Sequence, residues 1–271
     1  MKTCLGFLFS LSFLFAAIPA RSQQPIVSDE IVVTASALPE PVESTPAAVT
    51  VVTREEIEAR AARDVADVLR EVPGVVMSRT GSAGRATSLF TRGSSSTHTL
   101  VLWNGVELTN PYFAGYDWGR FSTMGVEQVE VVRGPYSALY GSDAVAGVVN
   151  VITHPHRSEL RASVEGGGGG LRGSSALASM VRGASYLTLS LESRRDDGFA
   201  ANDDFDQDSA NAMLRWSPSD SFSGGLSARQ TKYDLGVPMN LNALGDALVP
   251  SPRRRQDGSE RQIAIPIGQS F

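Results

Sequence analysis

Cysteine is all but absent: the single one, Cys4, lies in the first segment of the chain. Beyond that segment neither a disulfide framework nor thiol chemistry is available. Aromatic residues are few, at 7%, and after residue 20 no apolar run is long enough to cross a bilayer as a helix. An excess of positive charge is also lacking. The formal net charge is −5, and the densest basic cluster is the short run Arg253, Arg254 and Arg255, so a nucleic-acid partner is not expected. A chain of 271 residues with 26 glycines that is 42% hydrophobic then leaves two classes, a soluble β-rich protein or a β-barrel whose strands escape hydropathy scans.

Residues 1–22 read as an export signal: Lys2 opens them, an apolar stretch runs from Leu5 to Ile18, and small residues follow at Ala20 and Ser22. Residues 23–36 are Pro-containing and poor in large apolar side chains, an extended arm. Within it Ile31, Val32, Val33 and Thr34 form a β-prone island with nothing of its own to pair with, a strand awaiting either an external partner or the body of the protein.

From about residue 37 to 156 the pattern is mixed α/β. A strand at Val49–Val52 leads to Thr53 and Glu56 in capping-box spacing, and Ile57, Ala61, Val65, Val68 and Leu69 predict one helix that Pro73-Gly74 ends. Strands follow at Thr99–Trp103, returning through Asn104-Gly105 to Val106–Leu108, then at Val126–Val132 and Val145–Thr153.

Beyond His156 the texture is strict alternation. Leu187, Leu189 and Leu191 oppose Tyr186, Thr188, Ser190, Glu192 and Arg194; Ala212, Leu214 and Trp216 oppose Asn211, Met213 and Arg215; Phe222, Gly224, Leu226 and Ala228 oppose Ser223, Gly225, Ser227 and Arg229. A soluble sandwich would alternate in the same way. The succession of a tight turn at 217–220 between long connections at 195–209 and after Lys232 favours a membrane barrel.

Four segments resemble the TonB-dependent outer-membrane transporters: Asp29 to Ala35 (DEIVVTA), like a Ton box; Asp64 to Gly74 (DVADVLREVPG); Leu89 to Gly105 (LFTRGSSSTHTLVLWNG); and Val126 to Thr153 (VEQVEVVRGPYSALYGSDAVAGVVNVIT). Ser142-Asp143-Ala144, the ending Val32-Val33-Thr34-Ala35 and the region of His98 are most similar to the cobalamin receptors. Trp103, Asn104, Ala146 and the aromatic stretch 112–118 depart from the family pattern. The resemblance implies an α+β plug domain (37–156) followed by antiparallel transmembrane β-barrel strands (157–271), an incomplete barrel of about five or six strands where the family has about 22. A chain of that extent is expected to be a fragment or truncated product that makes no working transporter alone.

The same resemblance implies site residues. Asp29, Glu30, Ile31, Val32, Val33, Thr34 and Ala35 would add as a strand to TonB, energised by ExbB and ExbD. Arg92 and Arg133, each followed by a glycine, would pair with glutamates of the barrel wall, a task suited to planar guanidinium groups. Substrate would rest on outward loops through Arg79, Ser82, Arg85, Ser94, Ser95, His98, Tyr112, Phe113, Tyr116 and Trp118, whose hydroxyls and flat rings suit a large amide-rich molecule such as a corrinoid. Asp196, Asp203, Asp204, Asp206 and Asp208 offer hard oxygens for calcium, although Ser209 and Arg215 exclude an EF-hand; a solvated acidic loop is the alternative.

No catalytic group is expected. Gly168, Gly170 and Gly173 match G-x-G-x-x-G without the strand and helix that would make it a nucleotide site, and read instead as a glycine-rich hairpin loop; His154 and His156 lack a third ligand. The expected function is uptake of a scarce nutrient, a corrinoid, across the outer membrane, in contact with its lipid. A ferric-siderophore receptor, a plug-like periplasmic binding or signalling module and a non-functional truncated receptor stand as alternatives.

Overall fold

The computed structural model of the protein describes residues 31–32, 40–41, 48–108, 115–219, 222–241, 248–251, 253–265 and 267–269. In the arm, β1 (Ile31–Val32) pairs antiparallel with β2 (Glu40–Pro41). Ile31 and Val32 therefore do have a partner within their own segment, contrary to expectation. The rest of the proposed Ton box lies outside the described residues.

The inner domain comprises β3 (Ala48–Thr53), α1 (Arg54–Ala59), α2 (Val65–Leu69), β4 (Val75–Arg79), β5 (Thr87–Thr91), β6 (Thr99–Trp103), β7 (Val106–Glu107), β8 (Gln128–Arg133), α3 (Ser137–Tyr140) and β9 (Gly147–Ile152). The order β3-β8-β9-β6-β7 makes one mixed sheet in which only β6 and β9 run parallel, and β4-β5 is a separate hairpin. β6, β9 and most of β8 are buried on both faces, which is why their sequences are nearly unbroken apolar runs. One face meets the helices through Val65, Val68, Leu69, Val129, Val131, Val149 and Val151; the other buries Leu100, Leu102, Val132, Ala144 and Val148.

Helix α1 starts where the sequence places it. Thr53 accepts from the Glu56 N–H, and the Glu56 carboxylate accepts from the Thr53 N–H at 3.0 Å. The single predicted helix is in fact two short ones. Ala61 adopts a left-handed φ of 49°, which breaks the hydrogen-bond ladder and turns α2 so that all its apolar side chains meet the sheet.

The wall comprises β10 (Glu159–Gly166), β11 (Arg172–Arg182), β12 (Ser185–Asp196), β13 (Phe205–Ser219), β14 (Phe222–Gly236), β15 (Met239–Leu241), β16 (Leu248–Pro250), β17 (Arg255–Ala264) and β18 (Ile267–Gln269). Strands β10 to β14 pair antiparallel in sequence order; β17 and β18 both continue the sheet on β14, and β15-β16 form a separate hairpin in the connection between. The links alternate between tight turns (Arg182 to Ser185, Ser219 to Phe222) and longer connections (167–171, 197–204, 237–254). The connection expected at 195–209 is shorter because both flanking strands extend into it. Gly168–Gly170 is one turn of 3₁₀ helix closing the β10-β11 hairpin, as read from its glycines.

Register resolves the wall into horizontal rows. On the outer face Leu160, Ala178, Leu189, Ala212, Ala228 and Ile263 stand side by side, with Met180, Leu187, Leu214 and Leu226 in the row below. Leu160, Leu189, Leu214 and Ile263 are exposed. The inner face is the reverse: Thr188, Ser190, Arg194, Gln207, Ser209, Ser227, Arg229 and Thr231 are buried. From Trp216 to Ala210 the apolar band runs about 20 Å along the strand, the same order as an outer-membrane hydrocarbon belt. Among the described residues no helix is long and apolar enough to cross a membrane.

Candidate functional site

Where the inner domain meets the polar face of the wall, a seam of charge-complementary contacts runs from one end of the strands to the other. Nearest the tight-turn end, Arg54 is the hub. It follows β3 directly and is buried, with Nε 2.7 Å from Glu58, Nη1 2.7 Å from Glu127 and Nη2 2.5 Å from Glu159 at the start of β10. Arg161 of β10 also pairs with Glu58. Burial pushes the Glu127 carboxyl up in spite of Arg54, so the hub balances desolvation against pairing.

Higher up, Arg63 meets Glu165 at 2.8 Å, and Asp64, just before α2, receives Arg194 of β12 at 3.0 Å. Asp64 and Arg194 are 4% and 3% exposed, which makes this the most enclosed ion pair of the seam. Desolvation raises the Asp64 carboxyl above its usual range against the pull of Arg194. Arg79 lies 3.9 Å from the same carboxylate.

Toward the long-loop end the tip of the β4-β5 hairpin locks onto the wall. Ser82 and Arg85 both bond Asp203, Arg85 also donates to the Gly236 carbonyl, and a Cβ at Gly84 would lie inside the Phe205 ring. Beside it Arg120 reaches Glu260 of β17 at 3.2 Å and covers the Tyr233 ring at 4.1 Å; Arg229 of β14 covers Phe121 at 4.1 Å and donates to the Tyr116 hydroxyl at 2.9 Å. Tyr116, Trp118 and Phe121 pack edge-on and stacked within 6.1 Å of one another.

These contacts change the reading of the expected substrate residues. Ser82, Arg85 and Tyr116 belong to the seam rather than to an open surface; Arg79 turns to Asp64 and Asp67 of its own domain, and Trp118 is 1% exposed, in the apolar core. Their polar-aromatic composition is shared by substrate loops and by interdomain contacts, so sequence could not separate the two. Ser94, Ser95 and His98 do lie together on an accessible turn, where Ser95 caps a 3₁₀ turn and Ser94 donates to the Thr91 carbonyl. Tyr112 and Phe113 lie outside the described residues.

Arg133 turns to its own domain, donating to the carbonyls of Ala48 and Pro73 and to the Thr50 hydroxyl. Burial and the adjacent Arg92 charge weaken its hold on its proton. Arg92, with a left-handed φ of 51°, is exposed. No wall carboxylate reaches either among the described residues, so their expected pairing is not among the contacts of this wall. The arginines that do bridge the inner domain and the wall are Arg54, Arg63, Arg85 and Arg120 on one side and Arg161, Arg194 and Arg229 on the other; of these only Arg85 was singled out, and for another role. A signal existed for Arg194 and Arg229, since an arginine on the polar face of a membrane strand needs a buried acceptor.

The five aspartates do not gather. Asp203 is engaged by Ser82 and Arg85, Asp204 by Arg255 at 2.7 Å, Asp206 and Asp208 by Arg195, and Asp196 accepts the Gly198 N–H. Among the described residues no three acidic or histidine groups meet in a metal-holding arrangement. Calcium binding there would require these pairs to open.

The family model of the TonB-dependent receptor plug domain matches residues 41–148. The chain is 38% identical over 186 residues to the vitamin B12 transporter BtuB of Photobacterium profundum (67% of this chain, 30% of that protein). It is 34% identical over 230 residues to that of Vibrio vulnificus (80% and 38%). It thus spans about a third of the length of these curated relatives. Among solved structures it is similar in fold to the ferripyoverdine receptor of Pseudomonas aeruginosa (TM-score 0.71, 18% identity, 89% of this chain and 34% of that one). The alcaligin receptor of Bordetella pertussis is comparable (0.69, 20%, 89% and 39%). With the mixed-sheet domain as plug and the inside-out strands as wall, the chain belongs to the TonB-dependent outer-membrane receptors.

Proposed function

We propose that the protein serves TonB-dependent uptake of a corrinoid across the outer membrane. The observation that carries the corrinoid is the run of identity to vitamin B12 transporters, which continues past the plug into the wall over 80% of the chain. The likeness to siderophore receptors, at 18–21% identity, is one of fold alone.

In this reading substrate settles on the accessible turn of Ser94, Ser95 and His98, and TonB, driven by ExbB and ExbD, adds a strand to residues 29–35. The seam sets what must yield. Each buried pair such as Asp64–Arg194 has to part as the plug moves, and the two charges then regain water, so the seam fixes where the plug seats and leaves the work of moving it to TonB. Cells lacking their own corrinoid importer, given the receptor that carries this chain, should accumulate labelled cobalamin only when TonB is present. Accumulation of a ferric siderophore instead would reassign the substrate and leave the architecture intact.

A further inference from the structure

Lysine is nearly missing from this protein: of its 24 cations only Lys2 and Lys232 are lysines. The arginines of the seam and of the upper wall are mostly taken by carboxylates. Lys232 is exposed on the outer face of β14 and has no acid within ion-pairing distance among the described residues. Arg261 on β17 is also exposed and free of an acid partner there. Register sets Lys232 opposite Ser259, so Arg261 is its diagonal neighbour on the same face, about 7 Å away.

The height of this pair matters. Arg261 is level with Ala176, Leu191, Ala210 and Gln230, the last mainly apolar row, and Lys232 is level with Val164, Ser174, Ser193 and Asp208, the first mainly polar row. Both sit at the margin nearer the long connections. Between Lys232 and β11 lies an outward-facing groove of about 490 Å³, floored by Ala176, Leu191 and Ala210 and rimmed by Ser174, Ser193, Asp208, Gln230 and Lys232, with Arg261 one strand beyond Gln230. The acids close by are largely engaged: Asp208 accepts from Ser193 at 2.7 Å and lies 3.6 Å from Arg195, and Asp234 pairs with Arg255 at 2.7 Å. Asp257, one row further toward the loops, forms no ion pair with Lys232.

We infer that Lys232 and Arg261 form a site for the phosphate of an outer-leaflet lipid whose acyl chain lies in the Ala176–Leu191–Ala210 groove. The groove is continuous with the lipid-facing band, which selects a membrane lipid as the occupant. A compact ammonium beside a guanidinium at its polar margin supplies the complement to a phosphate monoester. Two unpaired cations at this height on a wall whose other margin cations are mostly paired are otherwise unexplained.

Amine acylation reads the site directly. The protein is reconstituted in phosphatidylcholine vesicles with or without a tenth of phosphatidic acid, protease-resistant material is selected, and modification is quantified on the Lys232 peptide. Phosphatidic acid should slow modification about fivefold, and Arg261→Gln should remove most of that protection without changing the rate in phosphatidylcholine alone. Equal rates in both vesicles overturn the inference. So does equal protection by inorganic phosphate, the result for an adventitious ion only.

Discussion

Plug and wall are built from similar side chains turned in opposite directions. In the plug sheet Val129, Val131, Val149 and Val151 are sealed inside; in the wall Leu187, Leu189 and Leu191 face outward while Thr188, Ser190 and Arg194 are buried. The difference shows that alternation in a strand reports two unlike environments without saying which is inside. It also explains the seam. A plug with an apolar surface would find no partner in a polar wall, so the contact is made by arginine, carboxylate and hydroxyl, where pairing has to offset desolvation.

The largest effect expected in testing this contrast is at its most enclosed ion pair. Asp64→Ala leaves Arg194 buried without its acid and should destabilise the seated plug by about 3–5 kcal/mol, whereas Asp64→Leu combined with Arg194→Leu should recover much of the loss. Urea titration of the vesicle-bound protein, with plug proteolysis as readout, measures both. If the double variant is as damaged as the single, pairing is not what holds the seam there.

Next comes the outer face. Leu189→Arg in the middle of the apolar band should cost about 2–4 kcal/mol in lipid. The same change at Ser174, on the polar margin, should cost under about 1 kcal/mol. Equal penalties would remove the case for a lipid-facing band.

His154, at the exit from plug to wall, tests the boundary itself. Burial first, then the charges of Arg215 and His156, lowers its pKa from 6.5 to about 4. Its folded pKa lies below the unfolded one, so its contribution is present above pH 6.5 and is lost as pH falls toward 4. That amounts to about 3 kcal/mol. His154→Phe should flatten this part of the stability–pH curve; an unchanged curve would mean that His154 is solvated.

The smallest effect is local to the plug. Thr53→Ala removes one half of the capping box and should cost about 1 kcal/mol, with no effect on the wall.

Much of this architecture was legible in the residues. Thr53 and Glu56 placed the start of α1, the apolar runs at 99–103 and 147–152 placed the central strands, and the alternation from Ser185 to Thr231 gave three wall strands with both faces assigned. The break at Ala61 was hidden because alanine is the best helix former and its left-handed turn is imposed by packing. The β4-β5 hairpin was obscured because Arg79, Ser82 and Arg85 and the small residues around them read as an outward loop. Tyr116 and Trp118 were read as substrate contacts because an amphipathic ring serves a ligand and a domain interface equally well. The seam pairs join residues more than a hundred positions apart, such as Asp64 and Arg194, and no spacing rule reaches that far.

The measurement that bears most directly on the central claim is the accessibility of two neighbouring positions on β12. With no cysteine beyond Cys4, single cysteines at Leu189 and Ser190 can be compared in vesicles. A fluorophore at Leu189→Cys should be quenched by a lipid-borne quencher, while Ser190→Cys should be protected from lipid and from water-soluble thiol reagents as long as the plug is seated. Quenching at both positions, or at Ser190→Cys alone, would contradict it.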